Sequence, residues 1–239
     1  MCANLGWRCL FGLVAVVGAA FWASAPLAAE QGAPAKATVF WIFLTTGKSV
    51  QGTDPSEIQK MQAAHLANFK RLHQEGKLFT AGPMADPQKK MRGIVVVTAA
   101  DRKSLADYFE PDPYVKQGFM TLDGIEMEIA VGRFQGDVDP KSLAEYRLVL
   151  LEKSQPDGNE ADAAMRARNV EYCESIHDAS RLCFAGWLRE DKISRRGILI
   201  FRKLDDEQLK SLVDELPAVK SSAWKATTFP LYMSDGIVK

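Results

Sequence analysis

Residues 62–83, QAAHLANFKRLHQEGKLFTAGP, change periodicity at Gly76, and that change decides the fold. Ahead of the glycine, Ile58, Met61, His65, Phe69 and Leu72 recur at steps of three and four, the spacing of one apolar helix face. Gly76 supplies the left-handed stop common just past a helix. Lys77–Gly82 then reads as a short strand ending at Pro83. His65 therefore faces the sheet, where a buried imidazole needs a hydrogen-bond partner.

Outward from this unit, Asp54-Pro55-Ser56-Glu57 is a helix start: an acid cap, proline at the first helical position and an acid three residues after the cap. Upstream, Ala37–Thr45 is a β-rich run. Downstream come a polar loop (Pro83–Met91), a strand (Gly93–Thr98) and a helix capped by Asp101 and reaching Phe109. Pro111-Asp112-Pro113 breaks that helix, Tyr114–Gly118 adds a further turn, and Ile125–Phe134 is a last strand. The order βαββαβ is a split βαβ of ferredoxin-like type. Its sheet is apolar on the side away from the helices too, so it needs a second sheet to pack on.

The second half of the chain supplies one. A shift of 104 residues lays His73 on His177, Leu78 on Leu182, Ala81-Gly82 on Ala185-Gly186, Arg92-Gly93-Ile94 on Arg196-Gly197-Ile198, and Asp101 on Asp205. The same shift lays Leu105 on Leu209, Pro113 on Pro217, and Val115-Lys116 on Val219-Lys220. The expectation is a duplicated unit, a first repeat at 37–135 and a second at 142–239, joined by the turn-rich Gln135–Lys141.

Lys+Arg and Asp+Glu are both 30, so no charge signature points to nucleic acid or an anionic membrane surface. Residues 1–29 read as a signal peptide: Arg8, an apolar run from Cys9 to Trp22, then small residues to Ala29. The run is short for a bilayer span, which takes roughly 20 residues. A periplasmic or secreted protein with no membrane contact after cleavage is expected, with an uncleaved anchor as the alternative. Cys2 and Cys9 leave with the leader, and Cys173 and Cys183 remain as either a disulfide or two buried thiols.

Three motifs in order carry a resemblance to the YCII-related family: Ala64-His65-Leu66-Ala67, Glu75–Met84 (EGKLFTAGPM) and Pro111-Asp112-Pro113-Tyr114-Val115. The resemblance covers about residues 38–134. It implies the dimeric α+β barrel, in which two ferredoxin-like units pack sheet to sheet, here within one chain. It also implies a His–Asp pair as the catalytic centre, which falls on His65 and Asp112. One relative in the family removes HCl from a chlorinated hydroxyhydroquinone, and the wider fold class includes isomerases, monooxygenases and haem proteins. In the second half the matching positions are Asn169 for His65, Leu216 for Asp112, Ala218 for Tyr114 and Trp187 for Pro83, so one site is expected.

Each residue also has a plainer reading. His65 can be a satisfied core histidine and Asp112 a cap on the turn that Pro113 begins. Tyr114 can donate its hydroxyl to a substrate or simply pack, and Gly82 and Pro83 can rim a pocket or just end a strand. Arg92 and Arg196 can meet an anionic group or be solvated strand ends. His73 and His177 lack the partners of a metal site. The resulting expectation is a cofactor-free lyase or isomerase with His65 as general acid/base, oriented by Asp112. Its substrate is a small cyclic or aromatic molecule held between the sheets. The chain is either a monomer with an internal pseudo-dimer or a homodimer. A non-catalytic ligand-binding or assembly module is the alternative, and haem held by His65 a third reading.

Overall fold

The computed structural model describes residues 37–155, 160–178, 181–189 and 194–239, so the expected leader lies outside the described residues. The β-branched and aromatic runs become strands and the capped amphipathic runs become helices. The first half runs β1 (Thr38–Thr46), α1 (Pro55–Gln74), β2 (Leu78–Pro83), β3 (Met91–Ala99), α2 (Arg102–Phe109), α3 (Pro113–Lys116) and β4 (Met120–Val131). The second half repeats that order as β5 (Leu143–Lys153), α4 (Glu160–Ile176), β6 (Leu182–Leu188), β7 (Arg195–Arg202), α5 (Asp206–Asp214), α6 (Pro217–Lys220) and β8 (Trp224–Ser234). β4 begins earlier than the hydrophobic alternation indicates, because Met120, Thr121 and Leu122 stay paired with Thr46, Thr45 and Leu44. It ends before Gly132, whose φ of 76° breaks the extended conformation.

The eight strands run β2-β3-β1-β4-β6-β7-β5-β8, two antiparallel ferredoxin-like sheets joined edge to edge. One seam is the β4–β6 pairing, which includes Met127 opposite Leu188. The other brings the two outer strands together: Met84 bridges Leu231, and Ala85 N–H donates to Pro230 O at 3.0 Å. The 104-residue offset exchanges the seams, since it carries Met84 to Leu188 and Met127 to Leu231. Likewise Arg189 N–H donates to Glu126 O at 2.8 Å, the counterpart of the Ala85–Pro230 bond. The sheet thus closes on itself, and neither outer strand is left as an open edge. This is an α+β barrel with internal twofold pseudosymmetry.

Strand alternation sorts the side chains into three cores. Trp41, Phe43, Ile94, Val96, Tyr146, Phe184, Ile198 and Phe229 pack together inside the barrel. Phe40, Ile42, Leu72, Val95, Val97 and Phe109 lie beneath the helices of the first half. Val149, Cys173, Leu199, Phe201, Trp187 and Leu216 do so in the second. The space between the sheets is therefore an apolar core, which corrects the expectation that substrate sits there. His65 belongs to the outer, helical layer. Cys173 and Cys183 form no disulfide and belong to different cores on opposite sides of the sheet, which decides for two buried thiols.

Candidate active site

α1 is set by its ends. The Asp54 side chain accepts from Ser56 N–H at 2.7 Å, Pro55 opens the helix, and Gly76 beyond it adopts φ 68°. The face so fixed buries Met61, His65, Asn68 and Leu72. Asn68 was not marked by the apolar pattern, although it stands three residues from His65 and four from Leu72. Its Nδ2 donates to Tyr108 O at 3.1 Å, while its Oδ1 accepts from Arg71 Nη2 at 2.8 Å. Arg71 Nη2 also reaches Tyr108 O at 3.0 Å, so this polar pair ties α1 to the end of α2.

The Pro-Asp-Pro break turns the chain back toward α1. Asp112 is fully buried, and its two oxygens do different work. Oδ1 accepts from the Tyr114 N–H at 3.0 Å and caps α3. Oδ2 lies 2.5 Å from His65 Nδ1. The cap and the His–Asp pair are thus both present, on separate atoms. A carboxylate in its ionised form only accepts, so in that form the proton of the contact sits on Nδ1 and Nε2 is the ring's second polar atom. Nε2 has no hydrogen-bond partner among the described residues, and the His65 side chain is 8 % exposed. Phe69 and Tyr114 flank the imidazole, with ring centroids at 4.3 and 5.5 Å, Tyr114 edge-on. The Tyr114 hydroxyl donates to Ile58 O at 3.4 Å. Burial holds its pKa above the usual tyrosine value, so it stays a neutral donor.

The structure brings His65, Asp112 and Tyr114 together. Gly82 and Pro83 have other surroundings. Gly82 faces the β2–β8 seam, where a Cβ would meet Tyr232 O at 1.8 Å, so this position requires close backbone approach. Pro83 is exposed at the end of β2, paired with Gly93. His73 closes the α1–β2 turn through an Nδ1 contact of 3.0 Å with Leu78 O.

The second half shows what replaces the pair. Asn169 stands where His65 does, and its Oδ1 accepts from the Ala218 N–H at 3.1 Å. It has taken over the capping that Asp112 performs in the first half, while Leu216 offers α6 no side-chain cap. Trp187 and Trp224 meet edge-on at 6.2 Å and join Leu216 and Ala218 in the apolar core. No ionisable pair remains at this position.

A family comparison agrees with the motifs of the first half. Residues 39–125 match the model of a family described as the YCII-related domain. The YCII-related stretch contains His65, Asp112 and Tyr114 and stops within β4; Asn169 and Leu216 lie beyond it. Solved structures share the fold over 82–85 % of the chain at low identity. A candidate monooxygenase from Fusobacterium nucleatum has a TM-score of 0.55 at 10 % identity, over 82 % of this chain and 92 % of that one. Another, from Lactobacillus acidophilus NCFM, has 0.52 at 11 %, over 85 % and 99 %. A mutant chlorite dismutase from Candidatus Nitrospira defluvii, solved with cyanide, has 0.52 at 11 %, over 83 % and 92 %. Identities this low show the fold, a dimeric α/β barrel, and nothing of activity. No curated protein sequence matches the chain.

The His65 side chain is 8 % exposed and packs against Phe69 and Tyr114, so a haem at Nε2 would require these rings to move. Among the described residues no cluster of three or more His, Cys, Asp or Glu side chains could hold a metal ion.

Proposed function

We propose that this protein is an exported, cofactor-free lyase or isomerase that moves a proton on a small cyclic or aromatic compound. His65 Nε2 is the general acid/base, and Asp112 fixes the tautomer and stabilises the imidazolium once the proton is taken. The observation that carries this reading is the buried 2.5 Å His65–Asp112 pair with the second ring nitrogen unpartnered. Support comes from the other half, which keeps the fold with Asn169 and Leu216 in the same places; the barrel does not need an ionisable pair there. We read the two halves as a duplication in which one site survived. Export rests on the apolar run from Cys9 to Trp22 and the small residues up to Ala29.

The test is proton exchange. Cyclic 1,3-diketones, small lactones and chlorinated hydroxyquinols are incubated with the protein in D2O, and C–H signal loss and halide release are followed. A rate above background that falls by about 10²–10⁴ in His65→Gln is expected. An unchanged rate in His65→Gln overturns the mechanism. Export is tested by the N-terminal sequence of protein recovered outside the cytoplasm, expected to start near Glu30. Recovery of the full-length chain in the cytoplasm alone contradicts it.

A further inference from the structure

The turn after α3 is strapped to the loop after β1. Gly47 N–H donates to Phe119 O and Lys48 N–H to Gly118 O, both at 2.9 Å. The backbones approach so closely that a Cβ at Gly47 would collide with Gly118 O. The strap sets the half-buried Phe119 ring between two neighbours. Lys48 Nζ lies over it, 4.4 Å from the centroid. Tyr114 meets it in a T-shaped contact at 6.4 Å, and Tyr114 in turn meets His65 edge-on at 5.5 Å. Printed contacts of side chain on side chain thus run from Lys48 through Phe119 and Tyr114 to the imidazole. Neither Tyr114 nor Phe119 is part of the three apolar cores.

The second half separates what the turn requires from what the ring adds. There the strap persists, with Ser154 N–H donating to Ala223 O at 2.9 Å. Ser222, the counterpart of Gly118, keeps the same left-handed backbone, at φ 59° against 76°. The 104-residue offset, however, lays Tyr114 on Ala218 and Phe119 on Ala223, in the half where Asn169 and Leu216 replace His65 and Asp112. Turn and strap therefore form without an aromatic ring at this position. The ring is present in the half that holds the imidazole.

We propose that Phe119 is a positioning residue for His65: held under Lys48, it backs the Tyr114 ring and so fixes the direction of Nε2. This rests on the acid/base reading and adds a residue to it. The bond from Nδ1 to Asp112 pins the imidazole at one point and leaves tilt about that point free. Packing against a ring that is itself backed removes the tilt, and proton transfer is sensitive to such small misplacements.

The test compares Phe119→Ala, which copies Ala223, with Phe119→Tyr, which keeps the ring, in the full chain. Relaxation of the His65 ring carbons reports how far the imidazole rocks, and proton exchange of the 1,3-diketones and lactones in D2O reports the chemistry. Phe119→Ala should enlarge the motion of the His65 ring while its Nδ1 proton signal remains. It should also lower kcat by about tenfold or more with KM within about twofold, and Phe119→Tyr should restore both. Unchanged His65 relaxation in Phe119→Ala, or the same loss in Phe119→Tyr, overturns the positioning role. If Phe119→Ala does not fold, Lys48→Met at its exposed position reads the same contacts: increased motion of the His65 ring supports the role and unchanged motion overturns it. If Phe119→Ala loosens the His65 ring but His65→Gln keeps full exchange activity, the acid/base reading falls and the positioning of the ring stands.

Discussion

Asp112→Leu, copying the residue opposite it in the second half, removes two acceptors at once. The Tyr114 N–H loses its cap, worth about 1 kcal/mol. His65 Nδ1 loses a charge-assisted bond in a buried site, worth about 1.5–3 kcal/mol. The single variant is therefore destabilised by about 3 kcal/mol. His65→Asn combined with Asp112→Leu should behave differently. The amide can accept from the Tyr114 N–H as Asn169 accepts from Ala218 at 3.1 Å, and no buried donor loses a charged partner. The amide also brings an Nδ2 that Asn169 leaves buried without a partner, so the double variant should lie within about 2 kcal/mol of the parent and above Asp112→Leu in stability, with strongly non-additive coupling of the kind expected for residues in contact. Urea unfolding followed by tryptophan fluorescence measures all four corners of the cycle. If the double variant is as unstable as Asp112→Leu or worse, the account of how the second half lost its site is wrong.

Gly82→Ala should destabilise by about 3 kcal/mol or more, because its Cβ meets the Tyr232 carbonyl at 1.8 Å across the seam. Gly186→Ala should cost about 1 kcal/mol, since its nearest obstacle is the flexible Met127 thioether at 2.6 Å, and thermal unfolding of the two variants ranks them. Burial pushes the Cys173 thiol up to about 12 and raises that of Cys183, so neither should be alkylated at pH 8 before unfolding, as peptide mapping would show. The sign follows from the same shift. A thiol pKa raised on folding stabilises fully below the unfolded value near 8.5 and progressively less as pH climbs from there toward 12. The urea midpoint should decline over that window, and a flat midpoint would contradict buried thiols.

Much of the architecture was legible because its causes are local. The Asp54 cap, Pro55 and Gly76 bound α1 within a residue of the reading, and the 104-residue repeat pointed to two sheets. The His65–Asp112 contact was not legible from spacing, since 47 residues separate the partners; the family motifs indicated it. Strand alternation shows that a sheet has two faces but not which face leaves room for a ligand, so the apolar barrel interior was mistaken for the site. Asn68 escaped because a buried amide answered by Arg71 and a backbone carbonyl looks, in sequence, like a solvated residue. Cys183 lies beside an irregularity between Leu182 and Phe184 in the β6–β7 pairing, which defeats a simple even–odd assignment of its side.

Everything proposed for this protein depends on His65 Nδ1 holding its proton against Asp112 while Nε2 stays available. Two-dimensional ¹H–¹⁵N spectra of histidine-labelled protein at neutral pH read that directly. The account predicts a far-downfield proton on His65 Nδ1, an unprotonated Nε2, and loss of that downfield signal in Asp112→Asn. A ring carrying its only proton on Nε2, or a spectrum indifferent to Asp112→Asn, would contradict it.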